Sequence, residues 1–156
     1  MERGEGMDTS TLDRFLLAQA HRYERALREI QGGKKRTHWM WYVFPQLRGL
    51  GKSPMAYTYG IEGAEEARAY LEHPLLSARL VEITEALLKH KDKDAYEIFG
   101  DVDERKLKSC MTLFAVAREG ESVFRQALDC FFDGEMDECT LNLLGLSPQG
   151  KGSAKE

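Results

Sequence analysis

Apolar side chains recur at steps of three and four residues through most of this chain, and capping residues and glycines bracket the runs. The first run consists of Leu12, Phe15, Leu16, Gln19, Tyr23, Ala26, Leu27 and Ile30. Side chains at this spacing share one face of an α-helix, and Gln19 is the polar member of that face. Ser10 or Thr11 is placed to cap the start, and Gly32-Gly33 ends the run. The pattern predicts an amphipathic helix.

Most of the later helical runs begin at a residue that is typical of a helix start. The predicted starts are Ser53-Pro54, His73-Pro74, Asp94, Asp103, Ser122 or Glu121, and Asp137. Capping side chains and prolines in the first turn support these assignments, and Asp94 with Glu97 has the spacing of a capping box. Residues 64–72 are helical by composition. We therefore predict an all-α fold, an irregular orthogonal bundle of about seven or eight helices, several of them short.

The composition is that of a globular chain with one core. Of the 156 residues, 42% are hydrophobic and 31% are charged, and a chain of this length buries enough surface to fold without disulfides or metals. We predict a single domain over residues 9–146, between polar tails at residues 1–8 and 147–156.

Location and partners are constrained by what the chain lacks. No apolar run reaches the roughly 18 residues of a membrane span, and the polar N-terminus has no secretory signal core. Cys110, Cys130 and Cys139 form no C-x-x-C pair, which favours reduced thiols in the cytoplasm over a disulfide framework or a metal site. The net charge of −4 makes nucleic acid an unlikely partner, because dedicated binders are usually basic.

One short segment leaves its secondary structure open. His38-Trp-Met-Trp-Tyr-Val-Phe44 is almost entirely apolar, and Pro45 stops it. Periodicity alone does not separate a short buried strand from a helix. Helical neighbours favour a helix, with Thr37 as its cap, and we expect no sheet of more than two short strands.

The densest cluster of chemically useful side chains precedes and includes that segment. Lys34, Lys35 and Arg36 come just before His38, Trp39 and Trp41. Cations at a helix start can hold an anion, and an indole ring can stack on a base. The alternative places the indoles in the core and the cations in solvent. His38 either moves a proton near neutral pH or hydrogen-bonds the backbone, whereas His21 is interpreted as solvated.

Three further positions can each be interpreted either as part of a ligand site or as structural residues. Gly51-Lys52-Ser53 matches the end of a phosphate-binding loop, but the first glycine of that motif would fall at Gln46. His73 precedes Pro74 and is either a helix cap or a ligand. Lys106 and Ser109 lie on one helix face with Cys110, either as a nucleophile with its activator or as structural residues.

Several stretches together resemble a bacterial and fungal family known as domain of unknown function 1810. They are Arg14-Phe15, Ala18-Gln19, Gly33–Trp41, Phe44-Pro-Gln-Leu47, Gly49–Ser53, Glu66–Pro74, Glu97-Ile-Phe-Gly100, Lys106–Phe114 and Thr140–Gly145. The resemblance spans about residues 12–145 and implies a compact, mainly helical fold. It implies no activity and names no cofactor.

Two functions of different classes remain. The first is a site for a small anionic ligand, carrying phosphate or carboxylate, whose candidate residues are Arg36, His38, Trp41, Lys52, Ser53, His73, Lys106 and Ser109. In this hypothesis Arg36, His38, His73 and Lys106 lie around one cleft, because each can bind an anion and each sits near a predicted helix start. The second is a non-enzymatic module that binds a protein or a nucleic acid.

Overall fold

The structure is a computed structural model that describes residues 9–146. A 3₁₀ helix, Thr9–Leu12, precedes nine α-helices in this part of the chain. They are α1 (Asp13–Gln19), α2 (Tyr23–Gln31), α3 (Met40–Val43), α4 (Pro54–Tyr59), α5 (Ala64–Glu72), α6 (Pro74–Leu88), α7 (Ala95–Ala117), α8 (Val123–Phe132) and α9 (Glu138–Leu143). Between residues 9 and 146 the only β-type pairing is one isolated bridge, Leu47 to Ile61. The predicted all-α fold is confirmed.

The predicted tails and domain boundaries fall at or beyond the limits of the described residues. The tails predicted for residues 1–8 and 147–156 lie outside the described residues, and the domain boundaries stay a prediction. None of the helices within residues 9–146 is long and apolar enough to cross a membrane.

Most of the helix starts fall where capping chemistry predicts them. Ser53, Ser122 and Asp137 each accept a hydrogen bond from a backbone N–H of the first turn. Asp94 and Glu97 form the complete capping box, with reciprocal hydrogen bonds of 2.9 Å. These contacts satisfy N–H groups that a helix leaves without partners at its start.

The first predicted helix is in fact three segments. The 3₁₀ helix leads into α1, and residues 20–22 separate α1 from α2. The N-cap of α1 is Leu12, and Thr11 instead donates a hydrogen bond to Glu66. The break lets α1 pack on α3 while α2 packs on α6. One unbroken helix would keep a single direction and would not serve both partners.

Two other predicted caps are wrong. Residues 40–43 are helical, as favoured, but the N-cap of α3 is Trp39, and the Thr37 hydroxyl donates to Glu29 instead. Asp103 begins no helix. Gly100 is non-helical and divides α7 into two helical stretches, and Asp103 lies inside the second of them. Asp103 forms an ion pair of 2.8 Å with Lys35.

A line of aromatic rings crosses the core from α1 to α8. Phe15 lies edge-on to Tyr70, with ring centroids 5.2 Å apart. Tyr70 contacts Phe114 at 5.2 Å, and Phe114 contacts Phe124 at 5.8 Å. All four side chains are buried, and each contributes roughly 1.5–3 kcal/mol through removal of its apolar surface from water.

One polar side chain ties four helices together inside this core. The buried Gln19 amide of α1 donates 2.7 Å to the carbonyl oxygen of Tyr42 in α3 and 3.2 Å to the hydroxyl of Tyr70 in α5. Its oxygen accepts from Arg79 of α6 at 3.2 Å. A buried amide is tolerated because its groups are paired, so the polar position of the first apolar face has a structural role.

Candidate functional site

The loop between α2 and α3 is organised around the Glu29 carboxylate. This carboxylate accepts hydrogen bonds from the backbone N–H groups of Arg36 and Thr37, from the Thr37 hydroxyl and from the Trp39 indole, at 2.7–3.1 Å. Burial alone would raise the pKa of Glu29, but these hydrogen bonds outweigh it and lower the pKa to about 2. The loop that carries His38 is therefore held by a fixed negative charge behind it.

Lys35 fastens the same loop to α7. Its backbone N–H donates 2.8 Å to the carbonyl oxygen of Ile98, and its ammonium group pairs with Asp103 at 2.8 Å and donates to the Thr37 carbonyl oxygen at 2.7 Å. The Lys35 side chain is only 7% exposed. The middle cation of the basic run is thus structural and not free for a ligand.

A cleft of about 310 Å³ opens on the other side of this loop. We call it the basic cleft; its lining residues are His21, Arg22, Arg25, Thr37, His38, Trp39 and Tyr42. Four of these seven side chains are basic and none is acidic. Trp39 and Tyr42 are buried and form the floor, whereas the four basic side chains are exposed.

Few contacts within the described residues engage the basic side chains. Arg22 donates 3.2 Å to the Ala18 carbonyl oxygen, and its guanidinium carbon lies 5.9 Å from the centroid of the Tyr42 ring. His21, Arg25 and His38 have no side-chain hydrogen bond or ion pair among residues 9–146. Burial raises the pKa of Tyr42, although the positive charge of Arg22 opposes this, so the Tyr42 hydroxyl stays neutral.

The backbone adds further positive potential at the basic cleft. Arg22 is the N-cap of α2, and its side chain does not cap the helix. The first N–H groups of a helix carry partial positive charge and favour an anion nearby. Glu24 in the first turn offsets part of this potential, but it does not line the cleft.

A second, much smaller cavity lies beside α3, and we call it the Trp41 cavity. It is lined by Met40, Trp41, Phe44, Gln46, Ala56, Tyr59, Gly60 and Lys106, and its volume of about 10 Å³ has room for one water. The ammonium nitrogen of Lys106 is 5.2 Å from the centroid of a Trp41 ring. Two residues 65 positions apart in the sequence therefore meet here.

The predicted site residues are divided among several places. His38 lines the basic cleft, and Trp41 and Lys106 line the Trp41 cavity. His38 and Lys106 line different spaces. The other five candidates line neither the basic cleft nor the Trp41 cavity: Arg36, Lys52, Ser53, His73 and Ser109. We predicted that one cleft is shared by Arg36, His38, His73 and Lys106. This stays a prediction, and the lining of these two spaces does not support it.

Three of the candidates have contacts of their own. Ser53 caps α4, and the His73 Nδ1 accepts a hydrogen bond from the Leu76 N–H at 3.3 Å at the start of α6. The buried Ser109 hydroxyl donates 3.2 Å to the Arg105 carbonyl oxygen. Arg36 and Lys52 are exposed. Cap and backbone contacts account for Ser53, His73 and Ser109 without a ligand.

Sequence reasoning missed three residues of the basic cleft, His21, Arg22 and Arg25. They lie at the junction of α1 and α2, where one continuous helix was predicted and only His21 was interpreted, as a solvated residue. Their spacing carried a weak signal, since His21 and Arg25 are four residues apart. Their approach to His38 depends on how α3 folds back, which the spacing does not contain.

The residues described thus far define an all-α protein with a basic cleft at a helix junction. The family described as "Protein of unknown function (DUF1810)" matches residues 9–144, and the chain belongs to that family. The resemblance found from the sequence stretches is confirmed.

A solved structure supports the same fold. The chain resembles the crystal structure of the conserved hypothetical protein Rv1873 from Mycobacterium tuberculosis, with 46% sequence identity and a TM-score of 0.86. The match covers 90% of this chain and 100% of that one. The comparison with curated proteins found no significant match.

Proposed function

We propose that this protein binds a small anionic ligand, one that carries a phosphate or a carboxylate group, in the basic cleft. The observation that carries the proposal is the lining of that cleft. Four basic side chains, His21, Arg22, Arg25 and His38, surround about 310 Å³, and none of its lining residues is acidic. Spaces of this size accommodate small metabolites.

Contacts within the protein hold the floor of the cleft and the loop that carries His38. Glu29 and Lys35 hold the loop that carries His38, as described above, and Gln19 holds the Tyr42 carbonyl oxygen. A backbone that is already held in place loses little conformational entropy on binding, which favours affinity. The permanent charges of Arg22 and Arg25 supply the attraction, and their planar groups can bind two oxygens of a phosphate or carboxylate.

The same lining favours binding over covalent chemistry. The Thr37 hydroxyl already donates to Glu29, and no serine, cysteine or carboxylate lines the basic cleft. The floor rings of Trp39 and Tyr42 are buried, so they offer little surface for stacking a base. A compact anion fits these features better than a nucleotide.

A charge-neutralising substitution on α2 tests the proposal. Arg25→Gln removes a cation that lines the cleft, and Arg28→Gln removes an exposed cation from the same helix outside it. Calorimetric titration with inorganic phosphate and with acetate should show binding that Arg25→Gln weakens by about tenfold. Arg28→Gln should leave the affinity unchanged. Equal effects of the two variants, or no binding of either anion, would contradict the proposal.

The alternative function is a non-enzymatic interaction module. Its support is the exposure of all four basic side chains, which a larger acidic partner could contact together. A single-stranded oligonucleotide in the same titration separates the alternatives. Binding of the oligonucleotide without binding of phosphate or acetate favours the module.

The cellular location belongs to this proposal as well. Cys110, Cys130 and Cys139 are free thiols. Unpaired cysteines support a reducing compartment, and hence a cytoplasmic location.

A further inference from the structure

We propose that the Trp41 cavity is a second binding site, separate from the basic cleft, and that it takes a small aromatic carboxylate. The ring of the ligand would lie on the Trp41 indole, and its carboxylate would accept hydrogen bonds from Lys106 and Gln46. Three observations support the proposal. Lys106 and Gln46 both border the cavity, Trp41 is only partly buried, and the ion pair of Lys106 is long.

Two donors border the cavity without a hydrogen-bond acceptor in the described part of the chain, and the ion pair of Lys106 with Asp103 is long, at 3.9 Å. Neither the Lys106 ammonium group nor the Gln46 side-chain amide makes a hydrogen bond to another residue within 9–146, although the Gln46 backbone oxygen accepts one from Ile61 at 2.9 Å. The other lining residues are mainly apolar. An apolar surface with a few convergent polar groups is typical of ligand sites, and an ammonium with an amide N–H matches a carboxylate.

The aromatic part of the ligand is inferred from the two indoles of the chain. Trp39 is buried and donates its N–H to Glu29, whereas Trp41 is only partly buried. The Lys106 ammonium lies over one face of the Trp41 ring, 5.2 Å from the ring centroid. Tyr59, which is also only partly buried, borders the cavity as a second aromatic side chain. A flat ring in place of the lysine would gain an offset stacking contact.

Lys106 can leave this position at low cost. Its carboxylate neighbour, Asp103, is 3.9 Å away, while the same carboxylate is already paired with Lys35 at 2.8 Å. Asp103 therefore keeps its close partner when Lys106 moves. Lys106 is 22% exposed, and a lysine stem is long and flexible. The present volume of about 10 Å³ thus describes a site covered by its own lysine.

Nuclear magnetic resonance of the two indole N–H groups tests this site directly. The chain has only two tryptophans, so Trp41 reports on this cavity and Trp39 on the basic cleft that it lines. Benzoate should shift the Trp41 resonance saturably, and benzyl alcohol and acetate should bind at least about tenfold more weakly. A Trp41 shift that does not saturate, or equal binding of either control, would overturn the proposal. A saturable shift of Trp39 alone would also overturn it while supporting anion binding in the basic cleft.

Paired substitutions on α7 locate the carboxylate. Lys106→Met keeps the apolar stem and should weaken benzoate binding by about tenfold. Lys108→Met is the matched control, because Lys108 lies near Glu135 and Phe132 instead, and it should leave binding unchanged. Gln46→Leu should also weaken benzoate binding. If Lys106→Met alters the Trp39 resonance without ligand, that variant has disturbed the fold, and Gln46→Leu then decides the outcome. Wild-type affinity in both Lys106→Met and Gln46→Leu would overturn the proposal.

Discussion

The Glu29 carboxylate accepts a hydrogen bond of 2.8 Å from the indole Nε1 of Trp39, ten residues further along the chain. The same carboxylate receives two backbone N–H groups and a hydroxyl from the intervening loop. A single ionised group thus satisfies the polar atoms of a turn and of a buried aromatic ring. Because this turn carries His38 into the basic cleft, Glu29 positions that residue without lining the cleft.

The first prediction concerns the charge of Glu29. Its pKa is lowered from 4.5 to about 2 in the folded protein, so the ionised form stabilises the fold above about pH 4.5, and this stabilisation is lost as the pH falls towards 2. Glu29→Gln should lower the free energy of unfolding at pH 7 by about 1–2 kcal/mol after allowance for solvent screening.

Urea unfolding at pH 7 and pH 3 measures this effect. The stability difference between wild type and Glu29→Gln should shrink by about 1 kcal/mol at the lower pH, where part of the benefit of the ionised carboxylate is gone. Glu24→Gln, an exposed position on the same helix, serves as the control and should show a smaller change, because that carboxylate interacts only with the partial charge of the helix start. A difference that is independent of pH would contradict the role assigned to the Glu29 charge.

The second prediction compares a buried with an exposed ion pair. Glu66 is 1% exposed and accepts hydrogen bonds from Arg14, from Thr11 and from the Glu62 backbone N–H. Burial alone would raise the pKa of Glu66, but these bonds lower it. Arg14→Leu should cost about 3–5 kcal/mol, because it leaves a buried carboxylate without its countercharge.

The matched control for that variant is Arg105→Leu. Arg105 pairs with Asp101 at 3.4 Å, and the two side chains are 71% and 74% exposed. Exposed pairs of this kind contribute at most about 1 kcal/mol. Denaturant unfolding of both variants at neutral pH gives the comparison, and similar losses for the two arginines would rule out a special role for the Glu66 site.

The two tryptophans give the third prediction. Trp39 is fully buried, so Trp39→Ala should cost about 3–5 kcal/mol, and it also removes one of the donors to Glu29. Trp41 is only partly buried, so Trp41→Ala should cost less than Trp39→Ala. Urea melts of both variants make the measurement, and a larger loss for Trp41→Ala would show that the burial of the two rings has been assigned in the wrong order.

Much of the fold was predictable because capping is a local interaction. Ser53, Asp94, Ser122 and Asp137 each bond to an N–H within three residues, so the sequence window that reveals the cap also contains its partner. Asp103 and Thr37 misled the same reasoning. Their partners, Lys35 and Glu29, lie 68 and eight residues away, and tertiary contacts of that kind replace a local cap.

The candidate site was less predictable for the same physical reason. The basic cleft depends on the break at residues 20–22, which changes the direction of the chain between α1 and α2. Side-chain spacing gives no account of this break, since the apolar pattern continues across it. Trp41 and Lys106 were each identified as candidates, but their contact depends on the packing of α3 near α7, and helical periodicity contains no information about that packing.

The last prediction concerns the kink in α7. Gly100 has φ 83° and ψ 174°, a region that is essentially restricted to glycine. A Cβ atom there would meet no atom within 4 Å beyond the adjacent residues and the backbone of its own helix, so Gly100→Ala adds backbone strain without a clash against the rest of the protein. We expect a loss of about 1–3 kcal/mol in the free energy of unfolding.

Gly63 provides the comparison. It also has open space around an added Cβ, but its φ of 173° is extended backbone that any residue adopts. Gly63→Ala should change stability by less than about 0.5 kcal/mol, since the entropy lost by the unfolded chain is offset by the poorer capping of alanine. Urea unfolding of both variants tests this contrast.

The kink at Gly100 also lies between Ile98 and Asp103, the two residues of α7 that hold Lys35. If Gly100→Ala relaxes the kink, the Trp39 indole resonance should therefore move. Equal losses of stability in Gly100→Ala and Gly63→Ala, with an unchanged Trp39 resonance, would show that the conformation of Gly100 does not set the bend.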